Sequence, residues 1–173
     1  MMRRISNLKK MIMNKLRIGL DIDDTLLDFW SEYLKQFGNP KEDRVVTRNV
    51  YKLRRNKSFW ENLPKLRDID FEPELYCTKR INPKSYTRKS LINHGFPVRP
   101  IYQMYYQKGN KADLIKGRVD VFIDDSISNF EMLNKSGIPC LLIDAPLNRH
   151  YETKHRIHDL NYETILKKYS EFK

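Results

Sequence analysis

From residue 16 onward, short continuous apolar runs alternate with stretches whose apolar residues recur every three or four positions. The runs cover 16–22, 74–78, 100–104, 119–123 and 139–143, the third being the weakest. Their length and largely apolar character predict strands. Asp21 and Asp23 lie at the end of the first, Asp124 and Asp125 close the fourth, and Asp144 closes the fifth. Between them, capping residues mark helices. Asn82 is placed to cap a helix begun by Pro83 and stopped at Gly95, with Tyr86, Leu91 and Ile92 as its apolar contacts. Ser126 caps the next, with Phe130 and Leu133 on one face and Gly137 past its end. Asn161 opens the last, where Tyr162, Ile165, Leu166 and Tyr169 keep helical spacing. Strands alternating with helices predict an α/β fold, a Rossmann-like parallel sheet flanked by helices. In such sheets ligands gather at the carboxyl ends of the strands, where the acidic residues collect.

Residues 28–70 break this rhythm. Phe29, Trp30, Tyr33, Leu34 and Phe37 form an apolar stripe on a helix that Gly38 and Pro40 end. A basic stretch follows, with Arg44, Arg48, Lys52, Arg54, Arg55 and Lys57, and then the apolar cluster Phe59, Trp60 and Leu63. The segment is expected to be a small helical cap inserted after the first strand. The domain expectation is therefore a core of 16–27 and 71–173, a cap of 28–70, and a basic N-terminal extension of 1–15, partly helical. That extension carries Arg3, Arg4, Lys9, Lys10 and Lys15 and no carboxylate. It lacks the Ser/Arg-rich length of a transit peptide, and a secretory signal is not expected.

Composition adds a bias toward anions. The 173 residues carry a formal net charge of +11 and an isoelectric point near 9.6. Phosphorylated metabolites, nucleic acid or an acidic protein surface are the partners such a balance favours. Two cysteines, Cys77 and Cys140, each inside an apolar run, read as buried thiols of a reducing compartment, so a cytoplasmic location is expected. No apolar run approaches the ~20 residues of a membrane span. His150, His155 and His158, among Arg149, Lys154 and Arg156, fit no zinc spacing and read as a solvated basic loop.

The candidate chemistry lies in the carboxylates. Asp21 and Asp23, followed by Thr25, end one strand, and Asp124 and Asp125 end another. Each acid singly is an ordinary turn or capping residue. Clustered at neighbouring strand ends they repel one another unless a cation joins them, and Mg²⁺ suits such oxygens. A carboxylate is also a competent nucleophile for phosphorus when a metal, a lysine and backbone N–H groups neutralise the charge. Thr78 at the end of the second strand and Lys111 or Lys108 before the acidic pair are placed to help.

In this order the segments Asp21-Ile22-Asp23-Asp24-Thr25, Thr78 in LYCT, Lys111 in GNKADLIK and the acids of FIDD resemble the motifs of the haloacid dehalogenase superfamily. The resemblance spans nearly the whole chain from Leu16. It implies an Mg²⁺-dependent phosphomonoester hydrolase working through an aspartyl-phosphate. Asp21 would be the nucleophile and Asp23 the general acid and then base, lending a backbone carbonyl to the metal. Asp125 would bind the metal directly and Asp124 directly or through water, while Thr78 and Lys111 would hold phosphoryl oxygens. The stretches DIDDTLLDFW, SFWENLP, YCTKR, VDVFIDDSISN and LIDAPLN are similar to the 5′(3′)-deoxyribonucleotidase branch. That similarity implies a (deoxy)nucleoside monophosphate substrate, with Phe29, Phe59 and Trp60 around the base and Lys79 beside the phosphate. Asn148 matches a polar position of that branch. Asp24 stands where animal members of the branch have Gly, and the cap is short and basic. Two alternatives therefore stay open: a phosphatase acting on nucleic-acid ends, and a non-catalytic binding or structural module of the same fold. The reading also leaves a homodimer open.

Overall fold

A computed structural model describes residues 15–104 and 109–172. The N-terminal extension, apart from Lys15, and Lys108 lie outside the described residues. Six strands form one all-parallel sheet: β1 (Ile18–Leu20), β2 (Leu75–Thr78), β3 (Ile101–Gln103), β4 (Val121–Asp124), β5 (Cys140–Ile143) and β6 (Arg156–Ile157). Their order across the sheet is β3-β2-β1-β4-β5-β6. The chain builds outward from β1 to one edge, returns to the other side of β1, and builds outward again. The order therefore reverses between β1 and β4, and a crevice opens beyond the carboxyl ends of strands at such a point. Both acidic segments of the sequence emerge there.

Seven helices are described: α1 (Phe29–Phe37), α2 (Asp43–Leu53), α3 (Lys57–Glu61), α4 (Lys84–Asn93), α5 (Lys111–Ile115), α6 (Ile127–Lys135) and α7 (Tyr162–Ser170). Side chains alternate across a strand, so each strand feeds two cores. Ile18, Leu20, Tyr76, Val121, Ile123, Leu141 and Ile143 join Leu91 of α4 and Ile165 of α7 in one cluster. Leu75, Cys77, Phe122, Cys140 and Leu142 join Ala112 and Ile115 of α5 with Phe130 and Leu133 of α6 in the other. Helices thus cover both faces of the sheet. Both cysteines are buried free thiols. Among the described residues, no helix is long and apolar enough to cross a membrane. At the sheet centre, Gly19 faces Phe122, whose ring would lie 2.6 Å from any added Cβ, so the close approach of β1 to its neighbour needs glycine.

Several local expectations change. Asn82 does not cap α4; its amide donates to Pro83 O (3.0 Å) and Thr87 Oγ1 (3.1 Å), and Pro83 occupies the cap position. Ile92 and Leu166 are 45% and 40% exposed, because the cores are already filled by Leu91 and Ile165 one position away. Residues 149–158, expected as a loop, include β6. Leu142 N donates to His155 O (3.0 Å) and Asp144 N to Ile157 O (3.1 Å), adding a two-residue edge strand too short for its pattern to register. Ser126 and Asn161 cap α6 and α7 as expected, accepting from Asn129 N and Glu163 N.

Between β1 and β2 lie α1, α2 and α3. Tyr33 of α1 and Val50 of α2 meet Ile81 in a small cluster of their own. Leu53, Trp60 and Leu63 instead belong to the same cluster as the central strands, so the inserted helices are seated on the sheet's own core.

Candidate active site

Asp21 continues β1 by one residue, its N–H donating to Ile123 O (2.9 Å), which sets its side chain beside the end of β4. Asp124 ends β4 and Asp125 follows it. One carboxylate oxygen from each of Asp21, Asp124 and Asp125 lies within 4.8 Å of the others. Lys111, the first residue of α5, reaches this group from the sheet's other core. Its stem is buried, its Nζ lies 5.2 Å from the centre of the Phe122 ring, and it bridges Asp21 and Asp124, the latter at 2.6 Å. A capping box aims it: Asn110 Oδ1 accepts from Asp113 N, and the Asp113 carboxylate accepts from Asn110 N.

The three carboxylates are not equivalent. Asp124 is wholly engaged, accepting from Lys111, from Ser126 N (2.9 Å) and from Asn129 Nδ2 (3.0 and 3.2 Å). Asp21 is held by Lys111, yet burial outweighs that charge and pushes its carboxyl up to about 7. Among the described residues, nothing donates a hydrogen bond to the Asp125 carboxylate. Burial raises its pKa well above the usual range, and the charges of Asp124, Asp21 and Asp24 push the same way. Burial also works against the Lys111 cation, but Asp124 and Asp21 overcome it and raise its pKa. One lysine against three carboxylates leaves the group short of positive charge.

Asp23 points elsewhere. Its carboxylate is gripped by Arg80, Nη2 at 2.7 Å and Nε at 3.0 Å to both oxygens. It therefore stands apart from the clustered carboxylates, and only its backbone carbonyl remains for the metal-binding part the sequence reading gave it. The Arg80 side chain is fully buried, its guanidinium 5.1 Å from the centre of the Trp60 ring, and its Nη1 has no partner. Arg80 also donates its backbone N–H to Thr78 Oγ1 (3.3 Å), tying the two ends of this turn together. Thr78 is buried at the tip of β2. Lys79, beside it, is exposed as a residue, while desolvation of its ammonium and the Lys111 charge lower its pKa.

The loop after β1 is built tightly. Asp24 adopts φ +55°, a left-handed conformation that Asp tolerates better than most residues, and its Oδ1 accepts from Trp30 N (2.8 Å) at the start of α1. Burial pushes its carboxyl up to about 7. Thr25 is fully buried with its hydroxyl unpartnered. Arg67 clasps the loop from outside, donating to Asp24 O (2.8 Å) and Thr25 O (2.9 Å) and also to Asp144 O. Asn148 supports the far side through Asp125 O (2.7 Å) and Ile143 O (2.8 Å).

Of the three aromatic residues, Trp60 takes a different place from the one expected. Trp60 is 1% exposed, donates Nε1 to Leu53 O (2.8 Å), and has Phe29 stacked on it at 5.8 Å and Phe59 edge-on at 5.2 Å. With Arg80 also over its ring, Trp60 is a core residue and presents no free face to a ligand. Phe29 and Phe59 are partly buried against it.

Arg80, Asn129 and Arg67 went unmarked in the sequence. Asn129 sits on the buried face of α6 beside Phe130, an amphipathic misfit that could have drawn notice. Arg80 carries no such signal, since the adjacent Lys79 is equally basic and faces solvent. Comparison with known proteins finds no matching family model and no matching curated protein.

Proposed function

We propose that the protein is a phosphomonoester hydrolase that forms an aspartyl-phosphate on Asp21. The observation that carries this reading is the carboxylate group of Asp21, Asp124 and Asp125, bridged by one buried lysine and short of positive charge. The donor set suits a hard divalent cation: all oxygens, with Asp21 and Asp124 buried and Asp125 half-buried and lacking any donor among the described residues. Asp21 and Asp125 would hold Mg²⁺, with Asp124, already engaged on both oxygens, behind them. When bound, it would supply positive charge against the phosphoryl oxygens.

The residues then divide the work. The Asp21 carboxylate attacks phosphorus, a P–O bond to Asp21 forms, and the bond to the leaving alkoxide breaks. Lys111, touching the Asp21 carboxylate, and Thr78 neutralise and orient phosphoryl oxygens as charge develops. Asp23, two residues on, protonates the leaving oxygen and later takes a proton from the water that cleaves the aspartyl-phosphate. Arg80 fixes where the Asp23 oxygens point. The grouping of Asp21, Asp124 and Asp125 with Lys111, and the reversal of strand order between β1 and β4, support this reading. Phe29 and Phe59, rather than Trp60, are the aromatics left for a nucleotide base.

The test is turnover of an aryl phosphate with and without Mg²⁺. The wild type is expected to hydrolyse it only with the metal, and Asp21→Asn to fall on the order of 10⁴-fold or more, as loss of a nucleophile does elsewhere. Equal turnover by the two proteins would refute the reading and leave the module alternative.

A further inference from the structure

The exposed face of α2 is unlike the rest of the insertion. Val46, Asn49, Val50 and Leu53 turn inward, wholly or partly buried, while Arg48, Tyr51 and Lys52 face solvent, and Arg54 and Arg55 continue in the turn that follows. Tyr51 is 64% exposed in the midst of these cations. Among the described residues, none of Arg48, Lys52, Arg54, Arg55 and Lys57 pairs with a carboxylate; of the cations from 41 to 57, Arg44 alone has one, Glu42. A surface that only needed solubility would interleave the two signs. Here one sign dominates, with an aromatic ring among the charges.

This face leads to the catalytic centre through direct contacts. Leu53 O at the end of α2 accepts from Trp60 Nε1 (2.8 Å), the Trp60 ring lies under Arg80 (5.1 Å), and Arg80 grips Asp23 (2.7 Å). These contacts are buried and fix α2 relative to Asp23; a polymer whose terminal phosphate entered the crevice would lay its following phosphates along the outer face of α2. Regularly spaced phosphates match the cations, and an unpaired base offers a π-face to Tyr51.

On this geometry we infer that α2 is a docking surface for single-stranded nucleic acid, and that the substrate phosphate is the end group of such a strand. The second half rests on the phosphatase reading; the first does not. Backbone contacts make binding strongly salt-dependent, with a logarithmic slope of about −0.7 per phosphate contact on single strands. Contacts from Arg48, Lys52, Arg54 and Arg55 would give about −2.8, roughly a 50-fold loss between 50 and 200 mM salt.

The experiment is fluorescence anisotropy of the full chain with a labelled single-stranded 12-mer bearing a terminal phosphate. Alongside it, kcat/KM is measured on that 12-mer and on a nucleoside monophosphate, with aryl phosphate turnover as the control for the chemistry. The expected result is the steep slope in the wild type, binding weakened at least about 10-fold with a shallower slope in Arg48→Glu/Lys52→Glu/Arg55→Glu, and about 5-fold or more weakening in Tyr51→Ala. Aryl phosphate turnover stays unchanged in both variants, and the wild type's preference for the 12-mer over the monophosphate is lost in the triple variant. The docking surface is overturned if the wild type does not bind at 50 mM salt, if the triple variant binds equally well, or if phosphatidylserine vesicles are bound and the 12-mer is not. The substrate assignment is overturned if the wild type shows no preference for the 12-mer. A failure of the catalytic reading appears separately, as an Asp21→Asn variant with undiminished aryl phosphate turnover.

Discussion

The carboxyl ends of β1 and β4 and the outer face of α2 are both dense in charge, yet they handle it in opposite ways. At the strand ends the charges are buried or, at Asp23, partly so, of opposite sign and in contact: Lys111 against Asp21 and Asp124, Arg80 against Asp23. On α2 they are exposed, predominantly of one sign and for the most part unpaired. Burial makes each pairing at the strand ends consequential, because an uncompensated charge there cannot turn to water. Exposure makes each cation on α2 individually weak and collectively a field. Mutations should therefore act through stability and chemistry in the first region, and through salt-dependent binding in the second.

The largest effect expected from breaking that contrast is at Lys111. Lys111→Met keeps the stem and removes the charge, leaving Asp21 and Asp124 buried without their cation, a loss of about 3–5 kcal/mol. Urea denaturation without divalent metal measures it, and stability equal to wild type would mean that the bridge carries no weight. A smaller effect is expected at Arg80. Arg80→Gln removes the fork on Asp23, so kcat on an aryl phosphate should fall about 10²-fold with KM little changed, as for loss of a positioned acid–base group. Restoration by added guanidinium would separate positioning from a folding defect, and a change confined to KM would count against that role.

The smallest effect belongs to a partly exposed pair that shows how solvent blunts the same chemistry. Burial works against the Asp144 carboxylate, but His158 and Arg156 prevail and hold its pKa below the ordinary 3.8. A folded-state pKa below the unfolded one contributes stability above about pH 4, lost as pH falls through the folded value. Asp144→Asn should flatten the acid limb of a denaturation profile below pH 4, by less than about 1 kcal/mol once screening is counted. An unchanged limb would show that water has already cancelled the pair.

Much of the frame was legible in the chain because its causes are local. Five of the six strands follow from short, largely apolar runs, and Ser126 and Asn161 cap the helices they announce. β6 was missed because two residues at an edge, paired on one side only, need little periodicity. Asn82 was misread because its amide found Thr87 and Pro83 O within a fold whose contacts a capping pattern does not contain. Trp60 was assigned to a ligand for a related reason: a half-exposed aromatic and a core aromatic look alike until the neighbours are known.

By itself the sequence determined the alternation of strands and helices, the acids at the strand ends and the basic run of α2, since these depend on spacings of two to four residues. The tertiary structure alone decided which strands neighbour one another, that Lys111 meets Asp21 across 90 residues, and that Arg80 meets Asp23 across 57. Such meetings depend on where a sheet closes and what it buries, and burial is a property of the assembled core that no short segment possesses.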